Sequence, residues 1–240
     1  MPHKYNYAIA KHYAAFRPPL HGSILHRIIK PHEKFKSGLD IGCGTGYSTI
    51  ALAEYCHTVF GIDPNSSMLE QATTHNKKII YFSGSGDDLS ILGNNRIDIV
   101  SFAGSLSYAK TDVLKKELLK IISSNAIVLV YDFQVLIDEL VEDIIGYSKL
   151  QNSNYSFTVN LDDWSEFETE LCGTEYLDLS LTEQQAVHLL LANSDRYGLF
   201  QNKFSDSDPF DLLTGYLQKC YSDLKLEANI YFSRHLLSMT

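Results

Sequence analysis

Apolar positions in the first half of the chain switch between two periods. Ile24, Leu25, Ile28 and Ile29 make one stripe and predict a helix over residues 20–30. Residues 39–41 read as a short buried strand, 47–55 as a helix, and 58–62 as a second strand that stops at Asp63-Pro64-Asn65. Residues 66–74 read as a helix that Ser66 or Asn65 can cap. Strands at 79–82, 97–102 and 126–131, with a helix at 111–122, continue the pattern. Short apolar strands alternating with helices predict βαβ units and a parallel sheet covered on both faces.

The rhythm breaks after Phe133. Residues 134–150, 161–171 and 182–191 read as helical, 151–160 as a polar loop, and 228–239 as a last strand returning to the sheet. Residues 134–219 therefore read as a cap laid over one edge of the sheet. From Asp138 to Thr182 the segment is rich in Asp and Glu, and Lys149 is its only Lys or Arg. Such a cap disfavours anionic ligands unless Arg17 or Arg196 supplies a partner.

Composition narrows the class. A chain of 240 residues suits one large domain, or a core with a smaller cap. Hydrophobic residues at 45% and charged residues at 20% are ordinary for a globular protein. A formal net charge of −9 and a pI near 5.4 argue against a phosphate backbone as partner. Cys43, Cys56, Cys172 and Cys220 form no C-x-x-C pair, so neither a zinc site nor a disulfide framework is expected. A reduced, cytoplasmic protein is the simplest reading. His21, His26 and His32 are spaced too irregularly for a metal site, and no metal is expected. The N-terminal residues lack a long apolar region, and the most apolar run, 126–130, is too short to span a bilayer.

The chemistry concentrates at residues 38–47, "GLDIGCGTGY", between the first strand and its helix. In open α/β sheets ligands bind outside the carboxyl ends of the strands, near the switch point. Glycines let the backbone turn sharply there and let a ligand approach the main chain. A dinucleotide fingerprint, G-x-G-x-x-G, is met by Gly42 and Gly44 but not by Tyr47 in the third position. Asp40 just before the turn would repel a pyrophosphate and welcome an ammonium or sulfonium.

Asp40-Ile41-Gly42-Cys43-Gly44-Thr45-Gly46 resembles motif I of the class I S-adenosylmethionine-dependent methyltransferases. "VFGIDPNSSMLEQA" (59–72), "FSGSGDDLSI" (82–91) and "RIDIVSFAGSLSYA" (96–109) resemble that family's second-, third- and fourth-strand segments, in order. "HYAAFRPPLHGSI" (12–24) resembles the N-terminal segment of small-molecule members of the trans-aconitate type, and 179–200 faintly resembles their cap helix.

The resemblance implies an α/β fold: a Rossmann-like, doubly wound, mostly parallel seven-stranded sheet with a helical cap inserted after the fifth strand. Residues 1–133 and 220–240 would form the S-adenosylmethionine-binding core, 1–20 an N-terminal lid, and 134–219 the cap. Gly42, Gly44 and Gly46 would turn under the methionine part, with Cys43 in the same turn as a small buried side chain. Asp40 would favour the ammonium, directly or through water. Asp63 would take both ribose hydroxyls, since a carboxylate is acceptor-only and bidentate. Met68 or Ser67 would line adenine. Ser85 and Gly86 fall where many members carry Asp-Ala. The Gly86 backbone N–H and the Asp87 carboxylate are the substitutes for that adenine contact. Residues 101–103, ending at Ala103, would border the transferring methyl, and Tyr13 and Arg17 would fold over the cofactor.

The resemblance thus implies methyl transfer to a small-molecule acceptor by in-line displacement. Many relatives carry His-Trp after the fourth strand, where this chain has Ser107-Tyr108. A base is therefore sought among His12, Tyr13 and Tyr108. Tyr5, Tyr7, Tyr108, Tyr155 and Trp164 are available to wall an acceptor pocket. The alternative is a chain that binds S-adenosylmethionine or S-adenosylhomocysteine without transferring methyl, as a sensor or inactive partner subunit. An NAD-dependent oxidoreductase and a methyltransferase for protein or RNA are further rivals. No nucleic-acid or membrane partner is expected, and the chain is expected to be a monomer or homodimer.

Overall fold

The computed structural model describes residues 7–72, 76–146, 155–204 and 208–238. Its elements in chain order are α1 (Tyr7–Ala15), α2 (Leu20–Ile28), β1 (Phe35–Ile41), α3 (Tyr47–Leu52), β2 (Cys56–Asp63), α4 (Ser66–Leu69) and β3 (Ile79–Ser83). There follow β4 (Ile97–Ala103), α5 (Leu106–Ala109), α6 (Asp112–Ile121), β5 (Ile122–Leu136) and α7 (Asp138–Ile145). The chain ends with β6 (Phe167–Leu181), α8 (Glu183–Leu191), α9 (Ser194–Phe204), α10 (Phe210–Cys220) and β7 (Leu224–Leu237). Among the described residues the strands form one seven-stranded sheet in the order β3-β2-β1-β4-β5-β7-β6. The β3/β2, β2/β1, β1/β4 and β4/β5 pairs are all parallel. The chain steps outward from β1 to β3, then returns to β4 on the other side of β1. That reversal puts the switch point at the carboxyl ends of β1 and β4, which is the mostly parallel, doubly wound α/β class expected.

Contacts divide the chain into two compact units, and the boundaries fall inside β5, β6 and β7. One unit holds residues 1–18, 134–154 and 176–229; the other holds 19–133, 155–175 and 230–240. The larger unit contains the glycine turn. Its core joins Leu39, Ile62, Val100, Phe102 and Val128 of the sheet to Leu114 and Leu118 of α6. Burial follows from spacing: Leu114, Leu118 and Ile121 lie on one face of α6. Thr111 starts that helix by accepting the Leu114 N–H at 3.0 Å. The smaller unit has its own core, built on Val141, Leu190, Leu191, Phe200, Leu213 and Leu217. A reciprocal capping box between Thr182 and Gln185 starts α8. Residues 155–175, expected in the cap, and residues 1–18, expected with the core as a lid, fall the other way in this division.

Several expected elements differ. Residues 161–171 are not a helix. Leu161, Trp164 and Phe167 repeat every three residues, which mimics a helical stripe. The structure places them in successive tight turns, with Trp164 N–H donating to Leu161 O and Phe167 N–H to Trp164 O. All three bury into the sheet core, and β6 starts at Phe167. Trp164 is thus a core residue beneath Lys110 and Lys115, each 5.9 Å from its ring, and not an acceptor wall. Residues 134–136 extend β5, and the helix expected over 134–150 is confined to α7, which Gly146 ends at φ +84°. Helix α4 stops at Leu69; Asn65, not Ser66, caps it by accepting from Ser67 and Met68. Tyr5, Thr74, residues 147–154 and the last two residues of the chain lie outside the described residues. Among the described residues no helix is long and apolar enough to cross a membrane.

Candidate functional site

The turn after β1 has Gly42, Gly44 and Gly46 at φ +75°, +52° and +86°. The three glycines have different neighbours. A Cβ on Gly42 would sit 2.4 Å from Ser105 Cβ, and one on Gly46 would sit 2.2 Å from the Tyr81 hydroxyl. Those two are required by the protein's own packing. A Cβ on Gly44 would meet only the Met68 methyl, at 3.4 Å. Gly44 is therefore the residue whose bare backbone faces open space, with Met68 beside it.

The turn's amides are largely committed. Gly42 and Cys43 both donate to Ile62 O, and Gly46 donates to Cys43 O. Gly44 donates to Asp63 Oδ2 at 2.8 Å. Asp63 ends β2 at 9% exposure, and its Oδ1 accepts the Asn65 N–H at 2.8 Å. Each oxygen is oriented by one backbone donor, and a carboxylate oxygen has room for a second.

Asp40 is fully enclosed at 0% exposure. Its oxygens accept from Ser48 (2.6 Å), Thr49 (2.7 Å) and Ser101 (2.8 Å). Burial pushes this carboxyl above the usual range, and the three hydroxyls pull it partly back. The direct ammonium contact expected for Asp40 is closed off by these partners. Asp40 instead ties β1 to the start of α3 and to β4, and so fixes the turn. Sequence reasoning missed Ser48 and Thr49 in this role, although both stand directly behind the glycines. Ser105 adds a further tie, donating to Ile41 O at 2.5 Å. The Cys43 thiol is buried and held far above its usual range by burial, first, and by the nearby Asp40 charge, so it is inert.

The expected adenine side is arranged as follows. Ser67 and Ser85 are exposed, and Ser85 Oγ accepts the Asp87 N–H at 3.3 Å. Gly86 is buried, and a Cβ there would meet Leu114 Cδ1 at 2.6 Å. Asp87 Oδ1 accepts from Thr111 Oγ1 at 2.9 Å, which ties this loop to the cap of α6. Ala103 ends β4, and Gly104 follows at φ +70°. Asp40, Gly42, Cys43, Gly44, Gly46, Asp63, Met68, Ser85, Gly86, Asp87 and Ala103 all belong to the larger unit.

The remaining candidates separate from this set. His12, Tyr13 and Arg17 belong to the smaller unit. His12 is fully buried: its Nδ1 lies 2.9 Å from His188 Nδ1, and its ring stacks on Phe210. Burial lowers its pKa, and this enclosure does not suit a base that must meet a ligand. The Arg17 guanidinium lies 4.4 Å over the Tyr13 ring. Arg196, the other candidate partner for an anion, donates to the carbonyls of Leu189 and Leu190, and burial lowers its pKa to about 10. Tyr108, in the larger unit, is 80% exposed, and its ring centre is 5.6 Å from that of Tyr155.

The fold and this geometry define a Rossmann-like α/β domain with a glycine turn at its switch point. Residues 39–124 match the family model described as a methyltransferase domain. A Saccharomyces cerevisiae protein named as an S-adenosylmethionine-dependent methyltransferase is 34% identical over 121 residues, which are 48% of this chain and 42% of that protein. A Dictyostelium discoideum protein named as a methyltransferase is 24% identical over 183 residues, 72% of this chain and 64% of that one. The chain thus spans less than two thirds of either relative. Among solved structures, a type II methyltransferase from Anaeromyxobacter dehalogenans superposes with a TM-score of 0.63 at 17% identity, covering 91% of this chain and 97% of that one. A Haemonchus contortus phosphoethanolamine N-methyltransferase 2 superposes with a TM-score of 0.52 at 17% identity, covering 98% and 59%. Over residues 39–124 the chain thus matches a methyltransferase domain, and part of it is similar to an S-adenosylmethionine-dependent methyltransferase.

Proposed function

We propose that the chain transfers the methyl group of S-adenosylmethionine to a small-molecule acceptor. The observation that carries this reading is the Asp63 carboxylate, held at the end of β2 by the amide of the outward-facing Gly44. Two oxygens, each oriented and each with acceptor capacity, suit the paired hydroxyls of a ribose. The donor set fits a nucleoside better than a pyrophosphate. The amides of Gly42, Cys43, Gly44 and Gly46, which would have to cradle phosphates, are already donated to the protein. Met68 flanks the same space, and Gly86 N–H and Asp87 are the groups assigned to the adenine edge.

S-adenosylmethionine supplies an electrophilic methyl on a sulfonium with a neutral leaving group. The chain's own part is to bind, to align and to exclude water. Alignment of this kind is worth effective molarities of about 10⁵–10⁸ M. The net charge of −9 supports a small acceptor over nucleic acid, and four cysteines without a disulfide support a reducing, cytoplasmic setting.

Calorimetric titration with S-adenosylmethionine, S-adenosylhomocysteine and NAD in parallel tests the reading. Binding of the first two and not of NAD is expected. Failure of both S-adenosyl compounds to bind would overturn it.

A further inference from the structure

A carboxylate, Asp132, and a group of aromatic rings stand one step from the glycine turn. Gly42 packs on Ser105, and the preceding residue, Gly104, closes the end of β4. In the β4/β5 register Ala103 pairs with Tyr131, which sets Asp132 level with that end. A Cβ on Gly104 would lie 3.0 Å from Asp132 Oδ1, so only glycine lets this carboxylate come so close. The Tyr155 hydroxyl donates to Asp132 Oδ2 at 2.5 Å, with Gly104 O 2.9 Å away. The Phe133 N–H, at 2.7 Å, orients the other oxygen. Rings extend from this point in both directions: Tyr108 lies 5.6 Å from Tyr155, Phe157 lies 4.8 Å from Tyr155, and Tyr231 lies 5.6 Å from Phe157.

We propose that Asp132, oriented by Tyr155 and flanked by Tyr108, recognises the methyl acceptor, and that the acceptor carries an amine or ammonium group. This rests on the methyltransferase reading for its place in catalysis, but not for the binding itself. An ionised carboxylate forms its strongest hydrogen bonds with charged N–H donors. Tyrosine faces add attraction for a cation, and for neither an alcohol nor a carboxylate. The position is right for an acceptor: at the carboxyl ends of β4 and β5, beside the loop that packs on the turn. Burial and the Asp132 charge hold the Tyr155 phenol far above its usual range, so at neutral pH it serves as a donor and not as a base. Tyr155 is thus a positioning residue, while Asp132 and Tyr108 touch the ligand.

The test uses three probes of one shape and different charge. Benzylamine, benzyl alcohol and benzoate are titrated calorimetrically into the full chain, with and without saturating S-adenosylhomocysteine. Benzylamine is expected to bind roughly tenfold or more tightly than the other two. Asp132→Asn should remove that preference while S-adenosylhomocysteine binding stays. Tyr108→Leu, at an exposed position that cannot endanger folding, should weaken benzylamine severalfold. Tyr155→Phe should weaken it too, and Tyr155→His or Tyr155→Gln, which restore a donor, should recover part of the loss. Equal binding of the three probes, preference for benzoate, no binding of any probe, or full benzylamine affinity in Asp132→Asn would each overturn the proposal. Loss of S-adenosylhomocysteine binding with benzylamine binding intact would instead strike the methyltransferase reading and leave this one standing.

Discussion

The Gly44 amide and the Asp63 carboxylate meet at 2.8 Å across the mouth of the β1 turn. One contact therefore couples the loop that faces the ligand space to the acid that suits a ribose. Asp63→Ala removes two oriented acceptors at once. Charge-assisted hydrogen bonds are worth roughly 1.5–3 kcal/mol each, so S-adenosylmethionine affinity should fall about a hundredfold or more. The Gly44 and Asn65 amides also lose their partner, and the melting temperature should drop modestly. Calorimetry and thermal circular dichroism on the same samples separate the two effects. Unchanged affinity would remove Asp63 from the ribose role.

The glycines of the turn should answer differently to the same change. Gly46→Ala drives a Cβ to 2.2 Å from the Tyr81 hydroxyl at φ +86°, so it should cost stability first. Gly44→Ala meets only Met68, at 3.4 Å, and carries little beyond the strain of its φ, about 1 kcal/mol. Its loss should appear in cofactor affinity, because its Cβ occupies the ligand's approach. A melting-temperature loss larger for Gly44→Ala than for Gly46→Ala would contradict this division.

What could be read from the chain alone was local. The glycine turn, Asp63 and the five parallel strands sit in a continuous stretch where spacing reports structure directly. Asp40 was visible as an acid at the turn. Its enclosure was not, because Ser101 reaches it from a strand 61 residues away. Asp132 and Tyr155 are 23 residues apart, and no periodicity links them. The region after Phe133 misled for a physical reason. Turns that bury Leu161, Trp164 and Phe167 use the same three-residue interval as a helix face. Only the neighbouring strands decide between them.

Asp40 should report its burial through pH. Its folded pKa is raised above 3.8, chiefly by desolvation. A raised acid contributes stability that is full below 3.8 and lost as pH rises through the higher folded value. Asp40→Asn has no such titration. Urea unfolding from pH 3 to pH 7 should therefore show the wild type losing ground to Asp40→Asn as pH rises. A difference that stays constant with pH would mean that the three hydroxyls fully offset the burial.

His235 should show the opposite sign. Asp162 accepts from Thr169 Oγ1 at 2.6 Å, so Thr169 in turn accepts from His235 Nδ1–H at 2.9 Å. That leaves His235 Nε2 as the acceptor for the Ser233 hydroxyl at 2.8 Å. The neutral imidazole satisfies this chain, and a second ring proton on Nε2 would force the Ser233 hydroxyl to turn from donor to acceptor. Burial, the leading cause, lowers the folded pKa from 6.5 to about 4 at a residue with 0% exposure. A lowered histidine contributes stability that is full above pH 6.5 and lost as pH falls toward 4. At about 1.4 kcal/mol per pKa unit, the loss approaches about 3 kcal/mol. His235→Gln should be less stable than the wild type at pH 8, with that gap closing between pH 6.5 and 4. Comparing the two proteins at each pH cancels the contributions of His12 and His188, whose pKa values burial also lowers. A gap that does not narrow on acidification would show that His235 is protonated within the fold and that the direction assigned to its hydrogen bonds is wrong.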